Sequence, residues 1–229
     1  MKPKLKPIES DHLWQRAYLE LRTALADGRY HPGERVRLRD LAEELGTSVT
    51  PVREAVLQLV NDGALELRSP RDIRVRSISA DEYLEVAAIR ELLEGMAIER
   101  FVEIMGPGDL TELRAFEEKH QAALGRRDYR RAILFDRRLV FTIFEKVEMP
   151  ILLDTLDSLW LLARPTVSLL YSDEGAVRTE LDNQALLDAL AAGDGRAAAD
   201  VRRSQITECA EVIIEMLKEQ DLDEVAVSS

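Results

Sequence analysis

A single cysteine, Cys209, stands in 229 residues. One thiol excludes an intrachain disulfide and a cysteine-based metal centre, and it suits a reducing compartment. Histidine is nearly as scarce, with only His12, His31 and His120, too few for a histidine-rich metal site. No apolar run approaches the ~18–20 residues of a membrane span, and the amino-terminal MKPKLKPIES lacks the apolar stretch of a signal peptide. A cytoplasmic chain without a membrane partner is expected. A phosphate-cradling glycine loop is missing, and no histidine is placed beside a nucleophile. No residue is singled out as catalytic, and an enzyme is not expected.

What is present is ordinary for a globular protein: 46% hydrophobic and 32% charged residues. The length suits one large or two small domains. The net charge of −12 is unevenly spread: residues 1–78 carry 14 Lys and Arg against 12 Asp and Glu, the other 151 carry 17 against 31. A near-neutral, arginine-bearing head on an acidic body suits local contact with DNA, the rest being held off by phosphate repulsion.

The head reads as helix, turn, helix and hairpin. Leu13, Ala17, Leu21 and Leu25 recur at helical spacing before Gly28. Leu38, Leu41, Ala42 and Leu45 form a short helix that stops at Gly46. Val52, Val56, Leu59 and Val60 mark a second, stopped by Asp62-Gly63. Extended stretches at 64–68 and 73–78 flank Ser69-Pro70-Arg71-Asp72 as a wing. Ser79-Ala80-Asp81-Glu82 is a capping-box signature. Beyond it nothing reads as strand, and helices are predicted near 80–105, 108–125, 128–147, 149–172, 176–192 and 194–220. The predicted fold is mainly α: a winged helix-turn-helix with a small β wing over 1–78, and an all-α antiparallel bundle over 79–229.

A recognition helix needs a polar, sterically modest start that can enter the major groove. Ser48-Val49-Thr50-Pro51-Val52-Arg53-Glu54 supplies one. Ser48 or Thr50 can cap it, and Pro51 is tolerated in a first turn, where no intrahelical N–H is needed. Arg53 can reach a base edge or a phosphate. Arg39 starts the helix that would cross the backbone, and Arg71 sits at the wing tip; the bland alternative for all three arginines is solvated surface.

Gly33 through Val56, with Leu59, Asp62-Gly63 and the wing, resembles the GntR family of bacterial regulators. By that resemblance Arg39, Ser48, Thr50 and Arg53 fall on DNA-contact positions. Two residues depart from the pattern. Val49 stands where the family usually has a base-reading arginine, and Asp72 replaces the usual wing glycine. Losing an arginine–guanine contact removes ~1–3 kcal/mol of discrimination.

From Ser79 onward the chain resembles the FadR-like branch with its helical FCD domain, on Arg90-Glu91-Leu92-Leu93-Glu94, Asp136 and Leu187 to Asp194. Most domains of this type hold a divalent metal through one aspartate and three histidines. Asp136 falls on the aspartate position, but the histidine positions are Val140, Asn183 and Gln205 (or Ser204). An apolar residue and two amides are poor transition-metal ligands, so no cofactor or metal is expected. The cavity can still take an organic effector, with Asp136, Asn183 and Gln205 orienting it. Arg90 could clamp a carboxylate or simply pair with Glu94 at i,i+4. Arg164, before Pro165, is a further candidate, since a helix-interior proline frees carbonyls and can widen a cavity. The expectation is a homodimer that binds double-stranded DNA at an inverted-repeat operator and answers a small-molecule carboxylate. Alternatives are a metal-dependent sensor with a non-standard ligand set, or a helical adaptor without effector.

Overall fold

The computed structural model describes residues 13–69, 71–179 and 181–227; the MKPKLKPIES segment, His12 and the wing's Pro70 lie outside them. Helix α1 (Leu13–Ala26) buries Ala17, Leu21, Ala24 and Leu25 on one stripe. It stops where Gly28 takes a φ of 67°, a left-handed turn that glycine adopts without a Cβ penalty. Helices α2 (Leu38–Glu44) and α3 (Val49–Asn61) follow, and α3 seals Val52, Ala55, Val56 and Leu59 almost completely.

Strands β2 (Leu65–Ser69) and β3 (Asp72–Val75) form the wing hairpin. A two-residue strand that the sequence does not announce, β1 (Arg35–Val36), pairs antiparallel with β3, giving the order β1-β3-β2. The second wing strand ends at Val75 rather than at 78, because residues 76–79 run extended into the next helix cap.

Helix α4 (Ala80–Ile104) begins with the full capping box. The Glu82 amide donates to Ser79 Oγ at 3.2 Å, and the Ser79 amide donates to Glu82 Oε2 at 2.9 Å. Then come α5 (Asp109–Leu124), α6 (Tyr129–Lys146) and α7 (Pro150–Val167). Asp128 accepts from the Arg131 amide to cap α6, and Pro150 opens α7. Helix α7 runs through Pro165 but ends at Val167, where a 3₁₀ turn (Ser168–Leu170) replaces the α-helix expected up to 172.

The helix expected over 176–192 is two pieces, α8 (Gly175–Arg178) and α9 (Gln184–Ala191), with a non-helical link between them. Helix α10 (Gly195–Val227) continues past the expected end near 220. It lies along α4, while α5 packs on α6. Their shared core holds Ile98, Phe101, Leu113, Leu139, Phe144 and Leu156.

Head and bundle are packed together. Leu161 of α7 sits in the head's apolar cluster with Leu21 and Leu25. Arg22 of α1 pairs with Asp157 of α7 at 2.5 Å.

Candidate functional site

The structure gathers functional candidates in two places, and the first is a groove of about 720 Å³ on the head. Arg39 of α2, Arg53 of α3 and Arg71 of the wing line it together, as the sequence placed them. Arg37, which the sequence reading passed over, is a fourth lining guanidinium; its signal was the alternation Arg35, Arg37, Arg39. Val49 lies on the groove wall, at the position where a base-reading arginine is usual. Ser48, Thr50 and Arg53 are exposed, and Pro51 is half-buried in the first turn.

Ser48 is the N-cap of α3 by its extended backbone, but its hydroxyl makes no capping bond. The expected cap is therefore absent, which leaves the hydroxyl and the first-turn N–H groups directed at solvent, the usual arrangement for a phosphate partner. Asp72 also has a physical reason. Its carboxylate pairs with Arg35 at 3.4 Å and Arg74 at 3.2 Å, and Arg35 Nη2 donates to the Arg71 carbonyl at 2.8 Å. A charged net holds the wing tip where a glycine would have relied on backbone freedom.

The second place is a cavity of about 70 Å³ inside the bundle. Its wall contains Arg90, Asp136, Arg164, Asn183 and Gln205, so every effector candidate from the sequence lines it. Arg90 does form the intrahelical pair: its Nε meets Glu94 Oε1 at 2.7 Å, and its guanidinium lies 4.3 Å from the Trp160 ring centroid. Glu94 is fully buried and also receives Arg202 Nε at 2.7 Å and Trp160 Nε1 at 2.7 Å. Burial alone would push the Glu94 carboxyl up, yet Arg202 and Arg90 hold it below its usual range.

Arg164 is 1% exposed. Its Nη1 faces Asp136 Oδ2 at 3.5 Å, Nη2 donates to the Ile133 carbonyl at 2.6 Å, and Nε donates to the Ala26 carbonyl at 3.2 Å. The last acceptor is the final residue of α1, in the head. One guanidinium thus touches both the cavity and the end of a head helix. Desolvation works against the Asp136 anion, but the Arg164 guanidinium, with Arg202 behind it, keeps its carboxyl low. Tyr171 shares a hydrogen bond with Asp136, and its own hydroxyl is raised well above the phenol range by burial.

The positions that hold histidine in related sensors serve other roles. Val140 is fully buried in the apolar core. Asn183 Nδ2 donates to Glu117 Oε2 at 2.9 Å, and Gln205 Nε2 donates to the Asp182 carbonyl at 3.0 Å. Among the described residues no three His, Cys, Asp or Glu side chains gather as a metal site. The donor set therefore does not fit a divalent transition metal.

Sequence reading gave Glu94 only as a pair for Arg90, and it assigned no role in the cavity to Glu117, His120 or Arg202. Glu94 falls on the stripe Ala87, Ala97, Ile98 and Phe101, and Glu117 and His120 on the stripe Leu113, Ala123. A charged residue in register with an apolar stripe was the available signal. Cys209 also lines the cavity, and burial pushes its thiol up to about 11.

A winged helix-turn-helix with arginines converging at its second helix, joined to a helical bundle around a polar cavity, defines a DNA-binding transcription regulator. Residues 13–75 match the bacterial regulatory proteins of the gntR family, and residues 85–208 match the FCD domain. The chain belongs to the GntR family, with a carboxy-terminal FCD domain. It is 35% identical over 170 residues to the HTH-type transcriptional regulator McbR of Escherichia coli (strain K12), covering 73% of this chain and 77% of that protein. The solved structure of E. coli McbR/YncC superposes with a TM-score of 0.76 at 30% identity, covering 93% of this chain and 99% of the other. A GntR-type regulator from Rhodococcus sp. RHA1 shares the fold at 21% identity and a TM-score of 0.73, over 90% of this chain and 99% of that one. These relatives are transcription regulators and not enzymes. No helix among the described residues is long and apolar enough to cross a membrane.

Proposed function

We propose that this regulator changes its affinity for an inverted-repeat operator when a small organic carboxylate enters the bundle cavity, without a metal. The observation that carries this reading is Arg164, whose guanidinium borders the cavity through Asp136 and holds the Ala26 carbonyl of α1. A ligand carboxylate that draws Arg164 toward itself weakens one of the bonds that seat the head. By linkage, its differential affinity for the two head positions becomes a change in operator affinity. Arg90, Asp136, Asn183 and Gln205 orient the ligand within the wall that they share.

In this reading residues 1–78 bind DNA in the cytoplasm, through Arg39, Ser48, Thr50, Pro51, Arg53 and Arg71, and residues 79–229 sense and dimerise. Val49 makes the operator differ from those read by the usual arginine. A second copy covers the outer face of α4, where Leu84, Ile89, Leu92 and Met96 are 48%, 37%, 71% and 42% exposed. Four apolar side chains on one helix face are costly to leave in water, and two-fold pairing hides them.

The test is a thermal-shift screen of chelator-treated protein against small carboxylic acids, followed by fluorescence anisotropy on an operator fragment. A ligand at 100 times its Kd adds ~2.7 kcal/mol. An acid that stabilises the chelated protein and alters operator affinity supports the proposal. Stabilisation by Zn²⁺, Ni²⁺ or Mn²⁺ alone, reversed by chelator, overturns it.

A further inference from the structure

His120 of α5 is 1% exposed and lines the cavity, and its Nε2 is buried with no hydrogen-bond partner. Buried polar nitrogens are almost always bonded, so this one points to a group that the cavity receives. Its chemical character is set by the other ring nitrogen. Nδ1 lies 3.2 Å from Glu117 Oε2. Glu117 also accepts from Asn183 at 2.9 Å and from Gln121 at 2.7 Å. Burial opposes the Glu117 anion, but His120, Asn183 and Gln121 hold its carboxyl below the usual range. The Glu117 carboxylate only accepts, so Nδ1 is the ring nitrogen that presents its proton to it, and Nε2 is the ring's open polar edge on the cavity.

Around the cavity, the guanidinium groups of Arg90, Arg164 and Arg202 are met by the carboxylates of Glu94 and Asp136, Glu117 lies against His120, and Asp182 and Glu208 also stand on the wall. Tyr171 faces the imidazole at 6.0 Å between ring centroids, and its hydroxyl is shared with Asp136. Among the described residues none bonds to Nε2.

We propose that His120 Nε2 is an effector contact that accepts from the ligand while Nδ1 stays committed to Glu117, and that the effector bears a hydrogen-bond donor, a hydroxyl or an ammonium group, beside its carboxylate. The proposal rests on the carboxylate reading above for its second half only. A cavity of about 70 Å³ holds only a handful of non-hydrogen atoms, so carboxylate and donor lie a few bonds apart.

The probes are propionate, its 2-hydroxy and 3-hydroxy derivatives, alanine and β-alanine, with 1,2-propanediol as the uncharged control. Binding to the full chain is measured by calorimetry and thermal shift. At least one donor-bearing acid is expected to bind about tenfold tighter than propionate, the contribution of one buried hydrogen bond. His120→Phe, which keeps a flat ring and removes the acceptor, is expected to bring the donor-bearing acid and propionate to equal affinity. The hydroxy and amino arms separate a hydroxyl from an ammonium donor. Should the variant fold poorly, the ¹⁵N signals of the chain's three histidines give the second reading: the unprotonated Nε2 resonance of His120 moves on binding.

Equal affinities for propionate and its derivatives overturn this proposal, with Nε2 then met by water, and leave the carboxylate reading standing. Binding of 1,2-propanediol through His120, with no acid bound, overturns the carboxylate reading and keeps the contact. No binding by any probe, with an unmoved Nε2 signal, overturns both.

Discussion

Glu94 pairs with both Arg90 and Arg202, and it also receives the Trp160 indole N–H. Glu94→Gln keeps the shape and leaves two buried guanidinium groups underpaired, so urea unfolding at neutral pH is expected to show a loss of ~3–5 kcal/mol. The pH dependence has a definite sign. A carboxyl held below 4.5 in the folded chain contributes stability above that value and loses it as pH falls through the lower folded value. Glu117, also lowered from 4.5, and Asp136, lowered from 3.8, act in the same direction. Acid unfolding should therefore set in below about 4.5, and Glu94→Gln should flatten that limb of the stability profile. At the groove, Arg53→Ala is expected to cost ~1–3 kcal/mol of discrimination at one operator base pair, read by anisotropy on single-substitution operators. Arg71→Ala instead weakens all sequences alike and lowers the salt slope by about one.

Helices carried by strong periodicity were legible. Leu13 to Leu25, Val52 to Val60 and the Ser79–Glu82 capping box sit where the sequence placed them. Elements fixed by their neighbours were not. Arg35–Val36 is a strand only because β3 lies beside it. The chain between α8 and α9 carries no Gly or Pro stop signal, yet it leaves the helix, and the Leu181 and Asp182 carbonyls accept from the Gln121 and Gln205 side chains. The cavity was legible in its outline through Asp136, Asn183 and Gln205, whereas Glu117 and His120 had no assigned role until α5 was seen packed. Gly175 tests this region. A Cβ there would collide with the Leu169 carbonyl and the Leu170 backbone, so Gly175→Ala must displace the turn that carries Leu170 and Tyr171 into the cavity. A loss of ~1–3 kcal/mol in stability is expected from calorimetry, together with weakened ligand response.

Taken whole, the molecule is two compact parts that share apolar surface through α1 and α7. Leu161 is buried in the head's cluster although it belongs to the bundle. Leu161→Ala should cost ~2–5 kcal/mol and loosen both parts together, seen as a loss of hydrogen-exchange protection in α1 as well as α7. The proposed dimer is tested on α4, where Leu92 is 71% exposed. Leu92→Asp is expected to yield monomers by light scattering and to weaken operator binding, since one head then docks without its partner.

Cys209 lines the same cavity with its thiol raised to about 11. Almost none of it is thiolate at neutral pH, so peroxides and disulfide reagents find a slow target. That inertness makes the lone sulfur a clock. Colour development with an aromatic disulfide should advance only as often as the bundle breathes open, and a guest that keeps the chamber shut should stretch the half-time without touching the sulfur.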